Sequence, residues 1–367
     1  MRPSDYLSSA ILLSAIWIAQ PVPAQVVPPV GQTMSAAEVN ELQAKAQAGD
    51  ALAQLKLGKA YGEGNGVPQS DARALKWYRA AAEQGNAAAQ NDVGIMFRLG
   101  RGVDQDKKEA VEWFRKAAKQ ENANALFNLG TAYYNGDGVA IDDTAAYAWF
   151  LLAQEFGSQS GTEAATRSKA ERIDDHSREV FEWAACERIG DMYASGEGLT
   201  QSSSKSIKWY RRCAEAGSNR VQVKLANLLL RNSNEPENRD EAHRLCEKAA
   251  SAHYGPAEFC MGHLYRHGLG VERDPSRAMK WYLQAAEQNV PAADWQLGEM
   301  YWNGDGVKVD KISGYAFVYL AAGSGLAEAR HEEERMETEL SPKERKSGQE
   351  KAINWSRQHR LVLLRGK

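Results

Sequence analysis

The chain is 367 residues long, and 45 Lys and Arg against 48 Asp and Glu leave a net charge of -3, so no global basic field exists to draw in nucleic acid. A hydrophobic content of 43% with 25% charged residues is that of a globular chain, and a mean hydropathy of -0.56 excludes a bundle of membrane-spanning helices. Four cysteines are too few for a miniature disulfide scaffold, yet all lie between Cys186 and Cys260, which asks for a local reason.

The first element is a targeting segment. Residues Ile11 to Ala19 form an apolar run too short for the ~30 Å hydrocarbon core and suited to the core of a signal peptide. Val22 and Ala24 supply small residues for cleavage after Ala24, so residues 1–24 are expected to be removed on export, leaving no stable membrane span. Export, to a bacterial periplasm or to the medium, gives the cysteines an oxidising environment. Residues 25–34, rich in Pro and Val, read as a linker, and Ser35 with Glu38 opens a capping helix over 35–50.

The body is a repeat. Gly58, Gly94 and Gly130 are 36 apart, and so are Trp77, Trp113 and Trp149. With units starting at residues 51, 87, 123, 183, 219, 255 and 291, the eighth position is Gly in six and Ala226 in the other, and the eleventh is aromatic in six. Apolar residues at helical spacing make the first half of each unit an amphipathic helix A. A GxG pair at positions fourteen and sixteen then stops it, as in Gly136-Asp137-Gly138. Position twenty restarts the chain with a cap (Ser70, Asp106, Asp142, Ser202, Asn238, Asp274 or Asp310), and Glu109 and Glu241 are placed to complete capping boxes. Helix B follows, with an aromatic pair such as Trp77-Tyr78 expected to face the next unit. Six glycines at one mid-helix register imply helices pressed too close for a Cβ.

Unit five lacks the glycine pair and the Trp but keeps the length. Residues 159–182 and the tail from Ala327 leave the period, and they read as spacer and capping helices, the last one opened by Ser341 and Glu344. The organisation is therefore 51–158 for units one to three, 159–182 for the spacer, 183–326 for units four to seven, and 327–367 for C-terminal caps.

Segments such as Ala51 to Asn86 (ALAQLKLGKAYGEGNGVPQSDARALKWYRAAAEQGN) resemble the Sel-1-like repeat family, relatives of the tetratricopeptide repeats. The resemblance implies an all-α superhelical solenoid acting as an adaptor for a protein or peptide partner, with no reaction common to the family and no cofactor. Cysteine-rich secreted bacterial members resemble this chain further. They tie helix A to helix B by disulfides and have been linked to weak penicillin binding, which leaves a cell-envelope enzyme or a β-lactam or glycan binder as the alternative. The ending Leu364-Arg365-Gly366-Lys367 lacks a retention tetrapeptide, which counts against a chaperone-like adaptor of a eukaryotic secretory lumen.

No catalytic or metal site is expected. Ser202-Ser203-Ser204-Lys205 spells SxxK without the partner motifs of β-lactam enzymes, and reads as a polar helix start. His263 and His267 are four apart, as metal ligands can be, but no third ligand has a recognisable spacing. His331 to Arg335 begins like HExxH and has Arg where the second His must stand. The GxG pairs lie between helices, so they do not cradle phosphates.

Four cysteines allow three connectivities, or none if all are buried thiols. Cys186 and Cys213 stand level across the turn of unit four, and Cys246 and Cys260 straddle the next turn, so these two pairs are expected.

Positions five, nine and twelve of helix A change freely between units and share one face. In a stack of αα-hairpins that face lines the concave side. It carries Lys59 early, then Ile95 and Arg98, Phe127 and Tyr134, Glu187 and Asp191, Phe259, His263 and Arg266, and last Trp295, Glu299 and Trp302. Aromatic residues and Arg on such a face are the types that anchor partners, so Arg98, Tyr134, Arg266 and Trp302 are expected to contact one, with Phe127, Phe259, His263 and Trp295 beside them.

Overall fold

The computed structural model describes residues 33–170, 175–231 and 235–359, so the signal peptide, its cleavage after Ala24 and most of the 25–34 linker lie outside the described residues. Among the described residues there are eighteen α-helices and no strand. They fall into two compact units, one ending at Asp106 and one beginning at Lys107.

The first unit holds α1 (Ala36–Gln47), α2 (Ala51–Glu63), α3 (Asp71–Glu83) and α4 (Ala87–Leu99). Ser35 and Glu38 form the expected capping box, and the Asp50, Ser70 and Asn86 side chains cap the next three helices. Gly64 and Gly66, both at φ 73, turn the chain from α2 to α3. A Cβ on Gly58 would stand 2.6 Å from the Tyr78 ring, so the close approach of helices A and B is built on glycine. The second aromatic of helix B therefore packs on its own unit's helix A. This corrects the expectation that the whole aromatic pair faces the next unit.

α1 corresponds in register to a helix B, and no helix A precedes it among the described residues. Val39 and Ala46 are buried, as are their counterparts Leu75 and Ala82. The face that would meet the missing helix carries Glu38 and Lys45, where α3 has the buried Ala74 and Ala81. Charge in place of alanine makes this end a polar cap, and an open groove of about 450 Å³ lies between α1 and α2.

The second unit continues the alternation with α5 (Lys107–Ala118), α6 (Ala123–Asn135), α7 (Asp143–Glu155), α8 (Gln159–Ala170) and α9 (Asp175–Ser195). Then come α10 (Ser203–Glu215), α11 (Asn219–Arg231), α12 (Pro236–Ala250), α13 (Gly255–His267) and α14 (Pro275–Glu287). It closes with α15 (Pro291–Asn303), α16 (Lys311–Gly323), α17 (Ala327–Glu339) and α18 (Pro342–His359). The glycine contact recurs at Gly130 on Phe150, Gly190 on Tyr210 and Gly262 on Tyr282, where a Cβ would lie 2.3–2.5 Å from the ring. Unit five solves the same problem with smaller groups, pairing the register of Ala226 with Cys246 instead of an aromatic.

Two seals went unnoticed in the sequence. At position four, Gln54, Gln90 and Gln222 donate their amides to Ala46, Ala82 and Ala214 carbonyl oxygens at 3.1, 3.1 and 3.0 Å, tying each helix A to the end of the helix B before it. At position nineteen, Gln69, Gln105, Gln201 and Arg273 donate back to a carbonyl of the last turn of helix A, at 2.8–3.0 Å.

Three expectations need correction or extension. Asn238 does not cap helix B of unit five, because Pro236 starts α12 and leaves Asn238 inside its first turn. Glu241, intended for a capping box, instead receives Arg211 in a bidentate pair at 2.6 and 2.8 Å. The spacer and tail also keep the period for one helix more than expected. α8 and α17 begin 36 residues after units three and seven begin, and each buries positions three and ten, Gly161 and Ser168 in one and Ala329 and Met336 in the other. They are helices of the A type without the glycine at position eight. Each is followed by a longer helix returning onto the same helix B: Phe181 of α9 stacks on Tyr147 at 4.8 Å, and Tyr315 of α16 lies 2.6 Å from where a Cβ on Gly348 of α18 would stand. Ser341 and Glu344 form the expected box at the start of α18.

Candidate binding face

The helix A rows leave position nine exposed or half-buried, turn position five inward and divide position twelve between open and covered side chains. Phe127 lies against Phe150 with ring centroids 5.8 Å apart, and Phe259 against Tyr282 at 5.5 Å, so both are half-buried packing residues. Trp295 joins the cluster around Tyr315 and Met336, and its indole Nε1 is buried with no hydrogen-bond partner among the described residues. Trp302, expected to meet a partner, is only 6% exposed. Lys311 and Arg335 lie over its ring at 4.8 and 5.4 Å, and the extra helix α17 covers it. Tyr134 stays exposed at 44%. Arg98, in the first unit, is half-buried with its Nε out of solvent.

The charged members are largely committed to one another. Arg266 donates to Asp305 at 3.0 Å and to Glu299 at 3.2 Å, and also bonds Gln296. Glu187 is held by Arg220 at 2.9 Å and Lys224 at 2.6 Å, and Asp191 by Lys224 at 2.7 Å. These pairs join one repeat to the next, so Arg266 is a strut of the stack and not the free anchor expected.

What remains open is a cavity of about 460 Å³ lined by Asn227, Phe259, Cys260, His263, Arg266, His267, Gln296 and Glu299. α11, α13 and α15 contribute, so three consecutive helices A build it. Phe259, His263, Arg266 and Glu299 belong to the stripe read from the sequence. Asn227 occupies position nine of unit five and was legible by the same rule, whereas Gln296, at position six, lay outside it. The His263 and His267 rings are 4.4 Å apart. Burial first pushes both imidazoles below the usual histidine value, followed by the charges of His267 and Arg266 for His263 and that of Arg266 for His267. Among the described residues no group of three His, Cys, Asp or Glu side chains is placed to hold a metal ion.

The other motifs resolve into structure. Ser202 accepts from the Lys205 backbone N–H as a helix cap, and the Lys205 ammonium pairs with Glu121. Arg335 of the HExxH-like stretch bridges Glu332 and Glu339 within α17. Gly136 and Gly138 take φ 74 and 77 to end a helix, as expected.

Cys246 and Cys260 form a disulfide with Cα atoms 6.0 Å apart, clipping α12 to α13. Cys186 and Cys213 are both buried and are free thiols, so the second expected bond is not formed in this structure. They are hydrogen-bonded neighbours, an arrangement that draws the Cys186 thiol down and pushes Cys213 up, because once one thiolate forms the second is opposed by it.

A family model described as Sel1 repeat matches residues 51–86, 87–122, 123–153, 183–218, 220–254, 256–290 and 291–326. The chain belongs to the Sel1 repeat family. Its seven Sel1 repeats are the seven helical units read from the 36-residue period. Among curated relatives, chitin synthase regulatory factor 3 of Schizosaccharomyces pombe is 34% identical over 124 residues, covering 33% of this chain and 13% of that protein. The alginate biosynthesis protein AlgK of Azotobacter vinelandii is 30% identical over 101 residues, covering 28% and 22%. The chain thus spans less than a quarter of the length of each. Among solved structures, c5321, a protective antigen of uropathogenic Escherichia coli with a Sel-1-like fold, aligns over 88% of this chain and 95% of its own at 24% identity and a TM-score of 0.34. Within the described residues of this Sel1 repeat chain no helix is long and apolar enough to cross a membrane.

Proposed function

We propose that this Sel1 repeat protein is an exported, non-enzymatic scaffold that holds an extended segment of a protein partner along the concave helix A face of units four to seven. The observation that carries this reading is the cavity on α11, α13 and α15. It offers one aromatic wall at Phe259, two neutral imidazoles, and the side-chain amides of Asn227 and Gln296, which suit the unpaired backbone groups of an extended peptide. Its fixed charges are already paired, Arg266 with Glu299 and Asp305 and Arg273 with Asp305, which favours an uncharged segment at this point. Export is supported by the apolar run at Ile11 to Ala19 and by the disulfide of Cys246 and Cys260. Relatives that this chain matches over part of their length include a chitin synthase regulatory factor and an alginate biosynthesis protein, consistent with a scaffold that serves other proteins.

Panning a library of displayed linear peptides on the purified chain tests the reading. Peptides enriched on the wild type should bind saturably, and Asn227→Trp, which fills the cavity from an exposed position, should weaken them more than about tenfold, or 1.4 kcal/mol, at an unchanged melting temperature. A library that yields no saturable binder, or binders indifferent to Asn227→Trp, would refute it.

A further inference from the structure

Glutamine at position four fastens units one, two and five to the helix before them, and in unit six that position is Glu258, a side chain only 2% exposed. The outer half of the fastening is unchanged. Gln288 donates to Glu258 Oε2 at 2.6 Å, as Gln84 donates to Gln54 Oε1 at 2.7 Å. The inner half is altered in chemistry. The Gln54 amide nitrogen reaches the carbonyl eight residues back, and the oxygen that replaces it in Glu258 can donate there only when it carries a proton. The carbonyl at that register is Ala250 O, which also accepts the His253 backbone N–H at 2.9 Å.

Two ionisable groups face this carboxyl. His253, in the turn after α12, has Nδ1 3.7 Å from Oε1, and Glu287 acts from the end of α14. His253 holds φ 53 at the register where Gly85, Gly157 and Gly217 take φ 87, 88 and 101 and where Glu121 and Asn289 take φ 59 and 58, so the imidazole stands in a left-handed turn made by glycine in units one, three and four. The disulfide of Cys246 and Cys260 clips the same two helices, so the junction can loosen without coming apart.

We propose that the junction of units five and six is a proton-operated latch: protonated Glu258 fastens α13 to the end of α12 as glutamine does elsewhere, and ionised Glu258 lets the junction open. Burial raises the Glu258 carboxyl above the usual 4.5, with His253 pulling the other way. A carboxyl whose value is higher folded than unfolded keeps more protons in the folded chain. Its contribution is therefore full below 4.5 and is lost as pH rises through the folded value. Asn227 lies on one side of the junction and Phe259 and His263 on the other, so the latch sets how firmly the cavity is held together.

Hydrogen exchange of the full chain between about pH 4 and about pH 8, corrected for intrinsic exchange rates, reads the latch at amides 250–258. Wild-type protection should fall with rising pH by up to about tenfold per pH unit in the titrating range. Glu258→Gln, which restores the residue used at positions 54, 90 and 222, should keep protection high and flat. His253→Gly, which supplies the glycine of this register, should retain the fall and begin it at higher pH. Parallel profiles for wild type and Glu258→Gln would overturn the latch, and a flat His253→Gly profile would move the titration to the imidazole and overturn the assignment to Glu258.

Discussion

A Cβ on Gly190 would stand 2.3 Å from the ring of Tyr210, whose hydroxyl donates to Asp191 at 2.6 Å. One residue is thus denied a side chain so that its neighbour can be reached. Gly190→Ala should cost about 2 kcal/mol as overpacking, read as a lower urea midpoint at unchanged slope. Shrinking the opposing ring with Tyr210→Leu in the same background should recover part of that loss, as Ala226 with Cys246 already illustrates in unit five. A loss that persists in the double variant would mean that the ring is not the obstacle.

Arg266→Ala should destabilise the second unit by about 3 kcal/mol, because it leaves the half-buried Glu299 without its cation and Asp305 with Arg273 alone. Thermal melting of the variant against Lys59→Ala, an exposed position of the same face in the first unit, makes the comparison. Equal melting temperatures would return Arg266 to the role of a free binding residue.

The Cys246 and Cys260 bond closes 14 residues, so replacing both by Ser should cost about 3 kcal/mol in the chain-entropy account. Cys186 and Cys213 are adjacent thiols at the positions expected for a second bond. Protein recovered from an oxidising compartment should show that bond in a non-reducing peptide map, and should melt higher than the same protein after selective reduction. Recovery of both residues as free thiols would refute this.

His263 and His267 have folded values below the usual 6.5, so the folded chain holds fewer protons than the unfolded one. Their effect is absent at alkaline pH and grows as loss of stability when pH falls below 6.5, until the folded values are passed. Replacing both by Gln should make the melting temperature fall less between about pH 7 and about pH 5. An unchanged acid slope would place the titrating groups elsewhere.

The architecture was legible because it is written in period: a glycine every 36 residues and a GxG pair at a fixed distance state both the helix ends and the closest helix contact. The candidate face was legible only in outline. Free variation at positions five, nine and twelve marks a row that includes Phe259, His263, Arg266 and Glu299 of the cavity lining, but variation does not distinguish a side chain left open from one engaged with the next repeat, and Arg266 and Trp302 are engaged. Trp302 was misread for a related reason. α17 covers it, and α17 has no glycine at position eight by which its register could be seen. The glutamines at position four were passed over because a polar residue on a helix gives no hint of burial until the carbonyl it meets is located.

The second glycine of the turn in units two, three, six and seven presses on backbone that belongs to the preceding hairpin: a Cβ on Gly102 would lie 2.6 Å from the Asp71 carbonyl, on Gly138 2.3 Å from that of Lys107, on Gly270 2.5 Å from that of Arg239, and on Gly306 2.6 Å from that of Pro275. Each of these hairpins thus carries the seat for the helix start before it. Removing one whole 36-residue period leaves all remaining seats occupied, whereas removing a single helix leaves one seat empty and one helix start unsupported. Chains of this kind should therefore lengthen and shorten by whole periods, and a departure of half a period should survive only where a longer helix returns to cover the vacant seat, as α9 and α18 do here.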